Sequence, residues 1–441
     1  MSTTTKWIFV ASVAALAVAG GFYVTKAKAA DLGSAGCCSD LEERVAELEA
    51  TTTRKGNRKV KLTVSGYVSH SIMMWDDGDT RNTYIGDGGM NTSRFRFTGE
   101  AKVSPQVTAG FTYEFGINNN NIGAANQLAG GDDLGGAVSL RDSTVWMRHA
   151  SLGRIKIGHG STATDNLILI DATNATYAAS PDVGLWNGGF FLNSTLAGGL
   201  TPLTWANILN QGVSFDTARR NHVMYESPSL GGFVMAAAIA EDSFWDIALR
   251  YAGEFGGFRM AFGIGYSNDA EAPTFHPVPA LGFGGIAATD LKEYKGSASL
   301  MHVQTGLFVN VAAGQREIDW SLTGGGAELR AEDPQWWHVM AGIERNWFGI
   351  GATTLYAEYH EAKDMVGFAL TAPGVDVSVS SKANMLGAGI VQKVDAADMA
   401  LFLSYKHYSG DVDLTSNVPG LVGELGVKDF SAVIVGTRIN F

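Results

Sequence analysis

From Lys61 to the last residue, apolar and polar side chains alternate with a period of two. In VTAGFTYEF, Val107, Ala109, Phe111, Tyr113 and Phe115 fall on one face, and Thr108, Gly110, Thr112 and Glu114 on the other. FWDIALRY sets Trp245, Ile247, Leu249 and Tyr251 against Asp246, Ala248 and Arg250. SRFRFTGEAKV sets Phe95, Phe97, Ala101 and Val103 against Arg94, Arg96, Glu100 and Lys102. Successive side chains of a β-strand point to opposite faces, so each stretch predicts a strand with one apolar face. The chain also ends this way. In SAVIVGTRINF, Val433, Val435, Thr437, Ile439 and Phe441 oppose Gly436, Arg438 and Asn440. A final strand with an aromatic last residue predicts a paired edge, because an open edge leaves its N–H and C=O groups unbonded.

Alternation alone fits a sandwich or a membrane barrel; the connections separate the two. Short turns fall at 104–106, 151–153, 228–232, 253–257, 304–305, 346–349 and 395–398. Between them lie longer segments at 76–91, 118–137, 162–219, 268–290, 319–334, 363–380 and 410–428, with one short exception at 241–243. Short turns on one rim and long segments on the other predict an all-β fold: a transmembrane antiparallel barrel of about sixteen strands. An even count puts both termini on the short-turn rim and pairs the last strand with the first, VSGYVSHSIMM. Aromatics near strand ends, namely Trp75, Trp245, Tyr251, Tyr266, Trp337, Trp347, Tyr359, Tyr408 and Phe430, are expected in the interface girdles.

Composition agrees with a large ordered β-structure: 46% of the 441 residues are hydrophobic, only 17% are charged, and 55 are glycine. A formal charge of -12 argues against nucleic acid as a partner and predicts a mild preference for cations in an aqueous interior. Cys37 and Cys38 are adjacent, which suits neither a fold-spanning disulfide nor a CxxC metal site. Residues 1–29 read as an export signal, with an apolar run from Trp7 to Val24 and small Ala27 and Ala29 at the cleavage site; an uncleaved anchor is the alternative. Residues 30–60 hold a short helix, capped by Ser39 and Glu42 and striped by Leu41, Val45 and Leu48, then a basic linker. Three turns are marginal in water, so the stripe needs either the underside of the main domain or copies of itself. Residues 61–441 form the barrel.

The stretch CCSDLEERVAELEATTTRKGNRKVKLTVSGYVSHSIMMWDDG resembles the mature N-terminus of the alphaproteobacterial general porins, and SRFRFTGEAKVSP, LGRIKIGH and terminal Phe441 are similar to their later segments. The resemblance implies a signal-exported, sixteen-stranded homotrimeric channel of the Gram-negative outer membrane, with the short helix in the periplasm. It implies contact with outer-membrane lipid and lipopolysaccharide, recognition of Phe441 by the assembly machinery, and passage of small hydrophilic solutes. The segment 163–219 departs from the usual pattern in being unusually apolar and Gly-rich.

A barrel of this size is too wide for side chains to fill, so selectivity falls to interior charge and the narrowest point. The inward-facing positions include Glu114, Asp246, Arg250, Arg259 and Arg438, which we expect to line the lumen. The segment 163–219 is too long for a structureless connection and too apolar for a solvated one. In the porin family the third outer loop folds into the lumen. Leu167, Ile168, Ile170 and Trp186 would then anchor it on the wall, while Asp165, Asp171 and Asp182 face a basic wall of Arg94, Arg96 and Arg148. Opposed rows of fixed charge would select polar solutes without any covalent step.

Enzymatic chemistry finds little support. YHEAKD is not HExxH, and a strand puts His360 and Glu361 on opposite faces. Ser404 with His407, or Ser69 with His70, lacks a GxSxG elbow. No cofactor is expected. Asp76, Asp77 and Asp79 in WDDGDT read as a solvated loop in preference to a Ca²⁺ site. Two further readings remain open: a channel specific for one substrate, and a barrel that tethers the envelope through its basic linker.

Overall fold

The computed structural model describes residues 59–88, 92–130, 133, 136–210, 219–270, 287–321, 328–372, 374–418 and 423–441. The expected export signal and short helix lie outside the described residues. The strands form one closed antiparallel barrel of sixteen staves. The first, Lys61–Asp76, pairs with the last, Phe430–Asn440, from Tyr67 opposite Asn440 to Asp76 opposite Ser431. Gly66 and Phe441 exchange both backbone hydrogen bonds across this seam, at 2.8 and 3.0 Å. The terminal residue is therefore a paired member of the sheet, and the barrel has no open edge there.

The faces are inverted relative to a water-soluble sandwich. Ser69, Ser71, Thr144, Glu293, Ser404 and Lys406 are buried inside, while Val68, Val145, Ile157, Leu355, Leu403 and Val435 are exposed outside. Only a surrounding apolar phase makes that arrangement favourable, and a closed sheet enters such a phase with its inter-strand backbone groups bonded. No helix among the described residues is long and apolar enough to cross a membrane.

Three features differ from the sequence expectation. The wall is taller, because several segments read as loops carry strand. Arg81–Asp87 continues the second stave above Arg94–Lys102, Phe368–Ala372 continues Thr353–Lys363, and Met399–Ser416 runs well past residue 410. The first is mostly polar, and the others are short runs beside Gly367, Pro373, Gly374 and Gly410, which read as loop. Next, Trp75, Tyr408 and Phe430 are not girdle residues. They share strand faces with Met73, Lys406 and Ala432, so they point inward and are buried. Trp245 and Trp347 do stand exposed, near strand ends. Finally, the barrel holds an apolar core, in which Trp75, Tyr408 and Phe430 pack with Trp186, Phe190, Leu192, Trp205 and Ile208 of the segment after the fifth stave.

Candidate functional site

That segment crosses the interior instead of covering the rim, and the wall is shaped to receive it. Asp246 accepts hydrogen bonds from the Ala163 and Thr164 amides at 3.2 and 2.8 Å and from the Thr164 hydroxyl at 2.8 Å. Leu167 then packs among Met224, Ala236, Ala238 and Ala248. A Cβ at Gly263 or Gly265 would come within 2.7 Å of Leu167, so the smallness of these wall residues is what admits the segment. Ser297 donates to the Leu167 carbonyl at 2.6 Å, and Glu344 accepts from the Asn174 amide at 2.7 Å. Farther along, Trp75 meets Phe190 at 4.9 Å and Tyr408 meets Trp205 at 5.7 Å, centroid to centroid. Each such apolar side chain contributes about 1.5–3 kcal/mol by burial, enough to hold the segment on one side of the lumen.

The rest of the wall stays open to a cavity of about 1110 Å³. Arg94, Arg96, Arg141, Arg438 and Glu114 line it from the wall, Arg219 from the end of the inward segment, and Asp165, Asp171 and Asp182 from its earlier part. Glu114 is the hub of the basic face. It accepts from Arg94 at 3.2 Å, from Arg141 at 2.8 Å, and from Arg96. One buried carboxylate thus sets three guanidiniums side by side, where their mutual repulsion would otherwise splay them. The Arg438 guanidinium lies 3.5 Å over the Tyr67 ring. Of the facing acids, Asp182 accepts from the Asn210 side chain at 2.8 Å. Asp171 accepts from the Thr173 amide and hydroxyl at 2.8 and 2.9 Å; burial outweighs these bonds and raises its carboxyl to about 6.

The structure brings together Arg94, Arg96, Glu114, Arg438, Asp165, Asp171 and Asp182 around one cavity. Arg148 is not among its residues. It sits near the short turn, exposed, with its guanidinium 5.7 Å from the Trp146 ring. Arg259 pairs with Glu254 at the neighbouring hairpin, also at the rim. Asp246 and Arg250 face inward but lie behind the inward segment, which Arg250 holds through the Asp165 carbonyl at 3.1 Å. Arg141, Arg219, Tyr67 and Tyr177 line the cavity without having been singled out from sequence. Arg141 was masked by a bulge. Glu114 pairs with Asp142 and Phe115 with Leu140, so Arg141 has no partner and turns inward beside Asp142.

A closed barrel, greasy outside, with a charged, partly occluded interior, fits diffusion. A profile of the Gram-negative porins matches residues 11–413. The chain belongs to the Gram-negative porin family. This porin is an outer-membrane diffusion channel for ions and small hydrophilic solutes, and family and fold point to a channel rather than an enzyme. Among solved structures, its fold is similar to the trimer form of OmpT from Vibrio cholerae, at 15% identity and TM-score 0.53, covering 87% of this chain and 99% of that one. It is equally similar to an anion-selective porin from Comamonas acidovorans, at 18% identity and TM-score 0.53, covering 87% and 100%. No curated protein matches the sequence.

Proposed function

We propose that this porin is a general diffusion channel of the alphaproteobacterial type whose eyelet is the cavity between the Glu114-centred arginines and the aspartates of the inward segment. The observation that carries this reading is the convergence of Arg94, Arg96 and Arg141 on one carboxylate, with Asp165, Asp171 and Asp182 on the other lining. Among the side chains, five arginines meet four carboxylates there, and burial raises the Asp171 carboxyl to about 6. The eyelet is therefore mildly basic, and we revise the cation preference expected from the net charge of -12 to a weak anion preference. Acidic groups such as Asp376, Asp413 and Glu424 sit on the upper wall, away from that cavity, and do not set the field in it.

Three further parts belong to the same reading. Export is through a signal cleaved near Ala29, and Phe441 serves the assembly machinery. The channel works as a homotrimer set in outer-membrane lipid and lipopolysaccharide, a reading supported by the trimeric form of the Vibrio relative. The testing experiment is a reversal-potential measurement in planar bilayers under a KCl gradient. A chloride-favouring potential is expected from the wild type; a potassium-favouring one would refute the basic eyelet.

A further inference from the structure

We propose that the eyelet continues as a binding track for small oxyanions, built by cations alternating with tyrosine rings: Arg94, Tyr67, Arg438, Tyr177 and Lys393. This rests on the basic-eyelet reading and names the solute class that such an eyelet would favour. Tyr67 lies between two guanidiniums, with Arg94 4.9 Å and Arg438 3.5 Å from its ring centroid. Arg438 is also 5.1 Å from the Tyr177 ring. The Lys393 ammonium is 5.1 Å from that same ring and donates to the Tyr177 hydroxyl at 3.2 Å. The cations come from three different staves and Tyr177 from the inward segment, so the row bridges wall and segment.

Its direction follows from the strands. Arg94 opens the strand Arg94–Lys102, well above the short turn that ends it, whereas Lys393 lies in the last rung but one before the turn Asp395–Ala397. The row therefore descends from the eyelet to the short-turn mouth. Stacking on a ring covers the face of a guanidinium and fixes its plane, and because Arg94 already donates to the Thr92 carbonyl and to Glu114, and Arg438 to Asn440, an oxyanion would share the in-plane N–H edge with these acceptors. That edge matches a carboxylate or phosphate. Glu114 beside Arg94, and Asp398 at 3.2 Å from Lys393, offset part of the positive charge. Partial neutralisation suits conduction, which requires several weak sites in place of one tight one.

The test uses the purified full-length porin in planar bilayers, in symmetric KCl, with inorganic phosphate added to one side. A saturable fall in chloride-carried current with rising phosphate is expected. Arg438→Gln and, on another stave, Lys393→Gln should each raise the half-blocking concentration several-fold. Arg438→Lys, which keeps the charge and loses the planar fork, should fall between. Arg345→Gln, at the same rim but outside the row, should leave the block unchanged. A wild-type channel with anion preference but no phosphate block would overturn the track and leave the basic eyelet standing. Equal block in all variants would also overturn it.

Discussion

The charge that decides passage resides in a handful of side chains, and exchanging them should change ion choice without changing the barrel. Arg94→Glu with Arg96→Glu places three acids where Glu114 now gathers three arginines. The double variant is expected to move the reversal potential from the chloride side to the potassium side; an unmoved potential would remove both residues from the filter. Asp171 supplies a pH dependence of known sign. Its carboxyl, raised to about 6, is charged above that pH and neutral below it, so acidification takes one negative charge from the lining. Anion preference should rise as pH falls through 6, and Asp171→Asn should hold the high-preference state at every pH. That the segment packs was readable from its apolar composition, whereas its inward pose, with Asp165, Asp171 and Asp182 on the lining, came from the family resemblance. Arg141 was not legible, since an unpaired bulge residue breaks the period-two rule, and Arg148 kept the correct face at the wrong height, which alternation does not encode.

At the scale of the element, the inward segment is held by specific wall chemistry. Asp246→Ala leaves two amides and a hydroxyl without their acceptor, each bond to such a charged group being worth about 1.5–3 kcal/mol. Gly265→Leu would drive a side chain into the space Leu167 occupies. Both variants should loosen the segment and give larger, noisier single-channel steps; steps identical to wild type would show that the segment does not restrict the pore. The terminal strand is constrained similarly at Gly66, where a Cβ would lie 2.4 Å from the Arg94 carbonyl oxygen and 2.7 Å from the Phe441 ring. Gly66→Val should therefore lower the yield of compact, heat-modifiable barrel on gels. Strand existence and the pairing of first with last were readable in the alternation. The upper extensions were not, because they are short runs set among glycines and a proline, although Phe368, Val379 and Val412 on them pack into the apolar core. Nor were the inward Trp75, Tyr408 and Phe430, whose aromatic character suggested an interface while their partners lay far along the chain.

For the whole molecule, everything follows from which way the two faces of the sheet look. Closure bonds the seam, exposed aliphatic residues meet lipid, and the buried polar face encloses a lumen narrowed by one folded-in segment. The most direct measurement is spin-label accessibility in lipid vesicles, with single cysteines replacing Val145, Ile157 and Val435 on the outer face and Thr176 on the cavity lining. Collision with oxygen should dominate at the three outer positions and collision with a water-soluble nickel chelate at Thr176. If instead Val145, Ile157 and Val435 were shielded from both reagents in a detergent-free soluble protein, the apolar face would be a dry core and the channel would not exist.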